Sequence, residues 1–95
     1  MFTNYFVYIT ANPTKTVLYT GVTNNLERRI KEHLTNKGSS KTFAGRYYCY
    51  KLIYFEEYFD INQEIEREKE IKKMPRIEKE EIIKSKNPCW NFIEV

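Results

Sequence analysis

A chain of 95 residues is the size of one domain, so any function must fit on a single core. With 41% hydrophobic and 31% charged residues it can bury that core beneath a polar surface, which excludes both a disordered tail and a membrane-protein class. A formal net charge of +3 favours an anionic partner only weakly and is far from the density of a basic nucleic-acid-binding arm.

In chain order, Met1-Phe2-Thr3-Asn4 carries no basic leader-like stretch and no later apolar run approaches the roughly 18 residues of a membrane helix, so the expectation is a cytoplasmic protein. Tyr5 to Thr10 and Thr16 to Thr20 are rich in β-branched and aromatic residues, and Ala11-Asn12-Pro13-Thr14-Lys15 between them carries turn chemistry, which predicts a β-hairpin. Gly21 is expected to break the second strand. Thr23, Asn24 or Asn25 then caps a helix running from Leu26 to about Leu34. Asn36 to Lys41 reads as a polar, mobile loop, and Tyr50 to Tyr58 as a third strand. Asp60 or Asn62 caps a second helix, which should end by Met74 because Pro75 disfavours helical geometry in the residue before it. A short charged helix follows over Arg76 to Lys84, and Asn87-Pro88-Cys89-Trp90-Asn91 forms an irregular, partly buried tail. Cys49 and Cys89 have no metal-type spacing and read as reduced, structural thiols. The fold class implied is α+β: a small three-stranded antiparallel sheet flanked by at least two helices, one domain over residues 1–95.

Several polar residues fall where periodicity asks for apolar ones. Leu26, Ile30 and Leu34 define the buried stripe of the first helix, with His33 roughly 60° and Arg29 roughly 100° from its centre. On the second helix, Ile61, Ile65 and Ile71 set a direction within roughly 10° of Glu68, so a carboxylate points at the core. Such a group must meet a cation, a metal or several donors. Pairing with a lysine or arginine of the same domain is the commonest solution, and Glu64 leans the same way. Taken singly, His33 reads as a hydrogen-bonded histidine at the core edge and Arg29 as a solvated surface residue. Tyr8 and Tyr19, on the two hairpin strands, would bring phenols to the same corner.

Together these residues resemble the GIY-YIG nuclease superfamily, in its small, single-domain, mostly bacterial endonuclease branch. Phe6-Val7-Tyr8 matches the first motif and Tyr19-Thr20-Gly21 the second. Arg29 and His33 follow ten and fourteen residues after Tyr19, in what looks like the motif helix. Arg67-Glu68-Lys69 resembles the segment of the metal-binding glutamate, and Asn91 the late polar residue of the site. Phe6-Val7 replaces the glycine and isoleucine of the first motif, and Thr20 stands where the family usually has an apolar residue.

The resemblance implies phosphodiester hydrolysis with one Mg²⁺ or Mn²⁺ on Glu68. Arg29 would contact the scissile phosphate, and Tyr8, with Tyr19 and His33 in the network, would orient or deprotonate the attacking water. Either Tyr8 or His33 could be the base, since a phenol needs nearby positive charge to ionise near neutral pH whereas imidazole titrates there already. Lys37, Lys41, Arg46 and Lys51 would meet phosphates without reading bases. The expected partner is nucleic acid, DNA before RNA, cut with weak specificity or by structure. The chain would act as a monomer or weak dimer, with a protein partner as one source of specificity. The competing expectation is a nucleic-acid-binding module of the same fold with a retired site.

Overall fold

Alternating β-branched and aromatic residues near the N-terminus pair into a hairpin in the computed structural model, which describes residues 4–95. The leader-free reading of Met1-Phe2-Thr3 falls outside them. Strands β1 (Tyr5–Ala11) and β2 (Leu18–Thr23) are antiparallel, and β3 (Lys51–Tyr58) pairs with the other side of β1, giving the order β2-β1-β3. Asn12 closes the turn: its Oδ1 accepts from the backbone N–H groups of Thr16 at 2.8 Å and Val17 at 2.9 Å. Those amides are thereby kept from the ladder, so the second strand begins at Leu18 and not at Thr16.

Gly21 does not break the strand as its residue type suggested; it lies inside β2, opposite Tyr8. A Cβ there would sit 2.5 Å from the Tyr8 hydroxyl oxygen and 2.9 Å from the Tyr19 ring. The glycine is needed for the close approach of two phenols, and the strand runs on to Thr23.

Helix α1 (Leu26–Thr35) starts at Asn25, whose side chain accepts from the Arg28 amide. A one-turn helix, α2 (Phe43–Arg46), was not foreseen; Thr42 caps it by accepting from the Gly45 amide at 3.0 Å. The preceding polar segment is pinned to it, contrary to the expected mobile loop: the Gly38 amide donates to the Gly45 carbonyl at 2.8 Å, and a Cβ on Gly45 would lie 2.8 Å from the carbonyl oxygens of Asn36 and Ser39. Helix α3 (Ile61–Lys73) is capped by Asp60 and stops before Pro75, while α4 (Arg76–Lys86) runs two residues past the expected end.

The period of two along β1 separates two cores. Val7, Ile9 and Ala11 pack with Ile53, Tyr54, Ile71 and Ile83 under α3 and α4, whereas Tyr8 packs with Leu26 and Leu52 under α1, flanked by Phe6, Tyr19 and Ile30. Both helices are turned about their axes relative to the sequence expectation. On α1, His33 is buried while Leu34 is 48% exposed; on α3, Ile61 and Ile65 are exposed and Glu64 takes a buried place beside Ile71. Each rotation, roughly 50° to 65° on the wheel, brings a polar side chain to a buried partner: His33 to Tyr8, and Arg67 to Glu56.

The tail covers the exposed edge of β3. Asn87 Nδ2 donates to the Ile53 carbonyl at 2.9 Å, the Ile93 amide to Leu52 at 2.8 Å, and Lys86 Nζ to Phe55 at 3.1 Å. Cys49 and Cys89 are both free. Among the described residues no helix is long and apolar enough to cross a membrane.

Candidate active site

Tyr8, on the central strand, has no solvent exposure, so its hydroxyl must find partners inside the protein. It finds two. Arg29 Nε lies 3.2 Å from the phenol oxygen and His33 Nε2 lies 2.7 Å from it. A guanidinium only donates, so Tyr8 accepts from Arg29, and its single proton is left for His33. That assigns His33 Nε2 as the acceptor and places the ring proton on Nδ1. The result is a directed chain from Arg29 N–H to Tyr8 O–H to His33 Nε2. Arg29 and His33 stand four residues apart on one side of α1, which is why one helix serves both ends of the chain.

Electrostatics fit this assignment. Burial pushes the His33 pKa down to about 4, helped by the positive charge of Arg29, so the ring is neutral at pH 7 and its lone pair is available. Burial also pushes Tyr8 up to about 12, against the opposing pull of the Arg29 hydrogen bond, so the phenol keeps its proton. Tyr19 closes the cluster: its ring centroid lies 6.4 Å from that of Tyr8 and 5.5 Å from that of His33. Arg29 Nη1 is held only loosely, 3.9 Å from Glu32, and its side chain is 35% exposed. Its outer donors can therefore turn to a ligand. Arg28, by contrast, bonds Asn24 at 3.3 Å and lies 3.7 Å from Glu32, with a 62% exposed side chain.

Four of the six expected site residues thus form one network. Glu68 does not touch it. It lies on α3, whose core residue Ile71 packs on the opposite face of the sheet, and it pairs with Lys72 at 3.5 Å. Its neighbour one turn earlier, Glu64, is 5% exposed, and its Oε2 is buried without a hydrogen-bond partner. Burial raises the Glu64 pKa, the charge of Glu68 raises it further, and the Phe6 amide opposes them by hydrogen bonding to the carboxylate. Phe6 is two residues upstream of Tyr8, so these carboxylates border the strand that carries the phenol. Asn91 is exposed; its amide donates to Asn87 Oδ1 at 3.0 Å and its carbonyl accepts from Asn87 Nδ2 at 2.8 Å. These backbone bonds tie it into the tail.

No cluster of three or more His, Cys, Asp or Glu side chains suited to a metal occurs among the described residues. A hard cation such as Mg²⁺ needs only one or two carboxylates and completes its shell with water. Glu68 and Glu64, the latter with an orphaned oxygen, fit that requirement.

The basic residues divide. Lys41 and Arg46 flank the start and end of α2, with Arg46 Nη2 donating to the Ser40 carbonyl at 3.1 Å, whereas Lys37 and Lys51 lie over the Tyr50 ring at 5.2 and 5.4 Å. A groove of about 450 Å³ between α1 and the tail is lined by Ile30, Leu34, Leu52 and Phe92 among others, and none of the six site residues lines it. The tyrosine cluster carries the hydrogen-bonded phenol, guanidinium and imidazole and is the better candidate.

A second buried network escaped the sequence reading. Glu56 accepts from Arg67 Nε at 2.9 Å and Nη2 at 3.0 Å and from the hydroxyls of Tyr54 and Tyr58. Burial alone would raise its pKa; these donors, Arg67 first, reverse the sign and keep it ionised. The signal was present in the period of two, which puts Tyr54, Glu56 and Tyr58 on one face of β3.

Comparison with known proteins agrees with this fold. The family model for the GIY-YIG catalytic domain matches residues 4–87, a span that includes Tyr8, Tyr19, Arg29, His33 and Glu68 but not Asn91. A UPF0213 protein of Syntrophus aciditrophicus is 42% identical over 83 residues, covering 87% of this chain and 92% of the relative. Another, from Clostridium perfringens, is 43% identical over 70 residues, 74% of this chain and 73% of the relative. The solution NMR structure of a UPF0213 protein from Bacillus halodurans superimposes with a TM-score of 0.59 at 30% identity, covering 92% of this chain and 89% of that one.

Proposed function

The chain belongs to the GIY-YIG catalytic-domain family, a family of nucleases acting on nucleic acid, and from that premise we propose that it is a divalent-metal-dependent endonuclease hydrolysing phosphodiester bonds in DNA. The observation that carries the reading is the relay from Arg29 through the Tyr8 hydroxyl to a neutral His33. Arg29 Nε–H occupies the acceptor side of the phenol oxygen. When the guanidinium turns its fork onto the scissile phosphate, that lone pair becomes free for the attacking water. Tyr8 takes the proton of the water while its own passes along the existing hydrogen bond to His33 Nε2, so no free phenolate is formed. The phosphate also offsets the Arg29 charge that depresses His33, which makes the imidazole a better acceptor once substrate is bound. Arg29 then stabilises the charge that builds on the pentavalent phosphorus.

Glu68, with Glu64 beside it, would hold one Mg²⁺ or Mn²⁺, whose chemistry there is Lewis-acid stabilisation of a phosphate or leaving oxygen. Lys37, Lys41, Arg46 and Lys51 supply sequence-independent phosphate contacts, which supports weak sequence specificity. The test is a nicking assay on plasmid DNA with and without Mg²⁺: cleavage should require the ion and disappear in Glu68→Ala, and equal activity of that variant overturns the reading.

The complete burial of Tyr8 favours a second reading, a binding module whose phenol never meets water. DNA binding by the wild type with no cleavage under any divalent metal selects it.

A further inference from the structure

The sequence reading gave the segment before β3 only phosphate-contacting cations, yet it carries three exposed aromatic rings. Phe43 is 50% exposed, Tyr47 43% and Tyr48 51%. Two of them continue the candidate active site outward. The Phe43 ring stacks on Tyr19, with centroids 6.2 Å apart and planes at 26°, and Tyr47 lies against Phe43 at 4.7 Å. Tyr19 in turn touches the His33 ring. A continuous aromatic row therefore leads from the proton relay to the surface, where it ends in two half-exposed rings.

This row is held firmly. Thr42 caps the turn that bears Phe43 and Tyr47, the backbone of Gly38 bonds Gly45, and Gly45 has no space for a side chain. Exposing two large rings on a fixed turn costs solvation that a polar residue would avoid, and nothing in the core calls for them there. Lys41 and Arg46 bracket the same turn with positive charge. Rings that offer a flat face beside cations suit an unpaired nucleobase, whose π-face stacks while its phosphates meet the lysine and arginine; in a duplex the base faces are already taken by their neighbours.

We infer that Phe43 and Tyr47 form a stacking shelf for an unpaired base of a DNA strand next to the scissile phosphate, so that the enzyme selects single-stranded or unpaired DNA over duplex. The inference deepens the endonuclease reading and rests on it for the placement of the phosphate.

The test measures binding of a fluorescein-labelled 12-nucleotide single strand, and of the duplex of the same sequence, in EDTA so that no cleavage intervenes. The wild type should prefer the single strand, and Phe43→Ala and Tyr47→Ala should each weaken that binding about tenfold, the size of one lost stacking contact, with little effect on the duplex. Both side chains are half exposed, so the variants should fold; Phe43→Leu, which keeps apolar bulk without a π-face, should behave like Phe43→Ala. Full binding by Phe43→Leu, unchanged binding by the alanine variants, or equal affinity for duplex and single strand overturns the shelf. Tighter binding of an RNA of the same sequence overturns DNA as its occupant. A wild type that shows the binding preference but never cuts with Mg²⁺ overturns the endonuclease reading and leaves the shelf standing.

Discussion

The protein holds two buried polar networks on opposite faces of one three-stranded sheet, and they are built from similar parts. Each joins tyrosines of the sheet to an arginine from a helix. On the α3 face, Glu56 is saturated: Arg67, Tyr54 and Tyr58 supply all the donors its carboxylate can use, and the group is held ionised. On the α1 face there is no carboxylate at the centre. A phenol stands there, with one arginine donor free to leave and one neutral imidazole able to take a proton. A closed network stabilises a fold, because every change of charge or partner raises its energy. An open one can do proton transfer, because its donor can leave the phenol and its acceptor keeps an unprotonated lone pair.

The largest effect that sharpens this contrast is on stability. Arg67→Ala leaves the Glu56 carboxylate largely buried, with its main cationic partner gone, and should cost about 3 kcal/mol in chemical denaturation at pH 7. Cleavage per folded molecule should change less than about threefold, far below the effect of losing a catalytic donor. If the cleavage rate fell a hundredfold at unchanged stability, the two faces would not divide the labour as described.

The next test sets Arg29 against Arg28. Both are arginines of α1, but only Arg29 reaches the phenol; Arg28 bonds Asn24 and leans on Glu32 in solvent. Arg29→Ala should lower the single-turnover cleavage rate at saturating enzyme by about a hundredfold or more. Arg28→Ala should instead weaken binding and flatten its salt dependence by about one phosphate contact. Equal rate losses in the two variants would mean that the open network is not the catalytic one.

What could be read beforehand divides along similar lines. The strands and main helices were legible because β-branched runs, Asn25, Asp60 and Pro75 act locally. The motif spacing could point to Tyr8, Tyr19, Arg29 and His33 as neighbours because one hairpin and one helix carry all four. The helix rotations were not legible. A wheel weighted by Leu34, Ile61 and Ile65 assumes that apolar side chains set the buried face, and here polar pairs to Tyr8 and Glu56 set it. Gly21 misled for a related reason: the residue type signals a break, and only the phenol lying over it from the neighbouring strand explains why the position must lack a side chain. Glu56 was passed over because its partner, Arg67, comes from a different element. Asn91, assigned by resemblance alone, belongs to a tail that ties back onto the sheet.

The smallest effect is the one most specific to the relay. His33 is the only histidine of the chain, so its titration can be followed by NMR without assignment experiments. Its pKa is depressed to about 4 in the folded protein by burial and by Arg29, against about 6.5 in an unfolded chain. Below about pH 6.5 the unfolded chain therefore takes up a proton that the folded one refuses. The contribution of His33 to stability is complete above that pH, declines as pH falls, and is exhausted once the folded ring protonates near pH 4. His33→Asn should remove this slope between pH 6 and 4.5, leaving only the carboxylate contributions, such as that of Glu56, at the acid end. A single-stranded oligonucleotide bound through Arg29 should move the His33 midpoint upward, because the phosphate cancels part of the charge that depresses it. An imidazole that titrates at its ordinary value in the free protein would show that the Tyr8 proton is not directed at it. The α1 face would then be a second closed network, and the contrast with Glu56 would be lost.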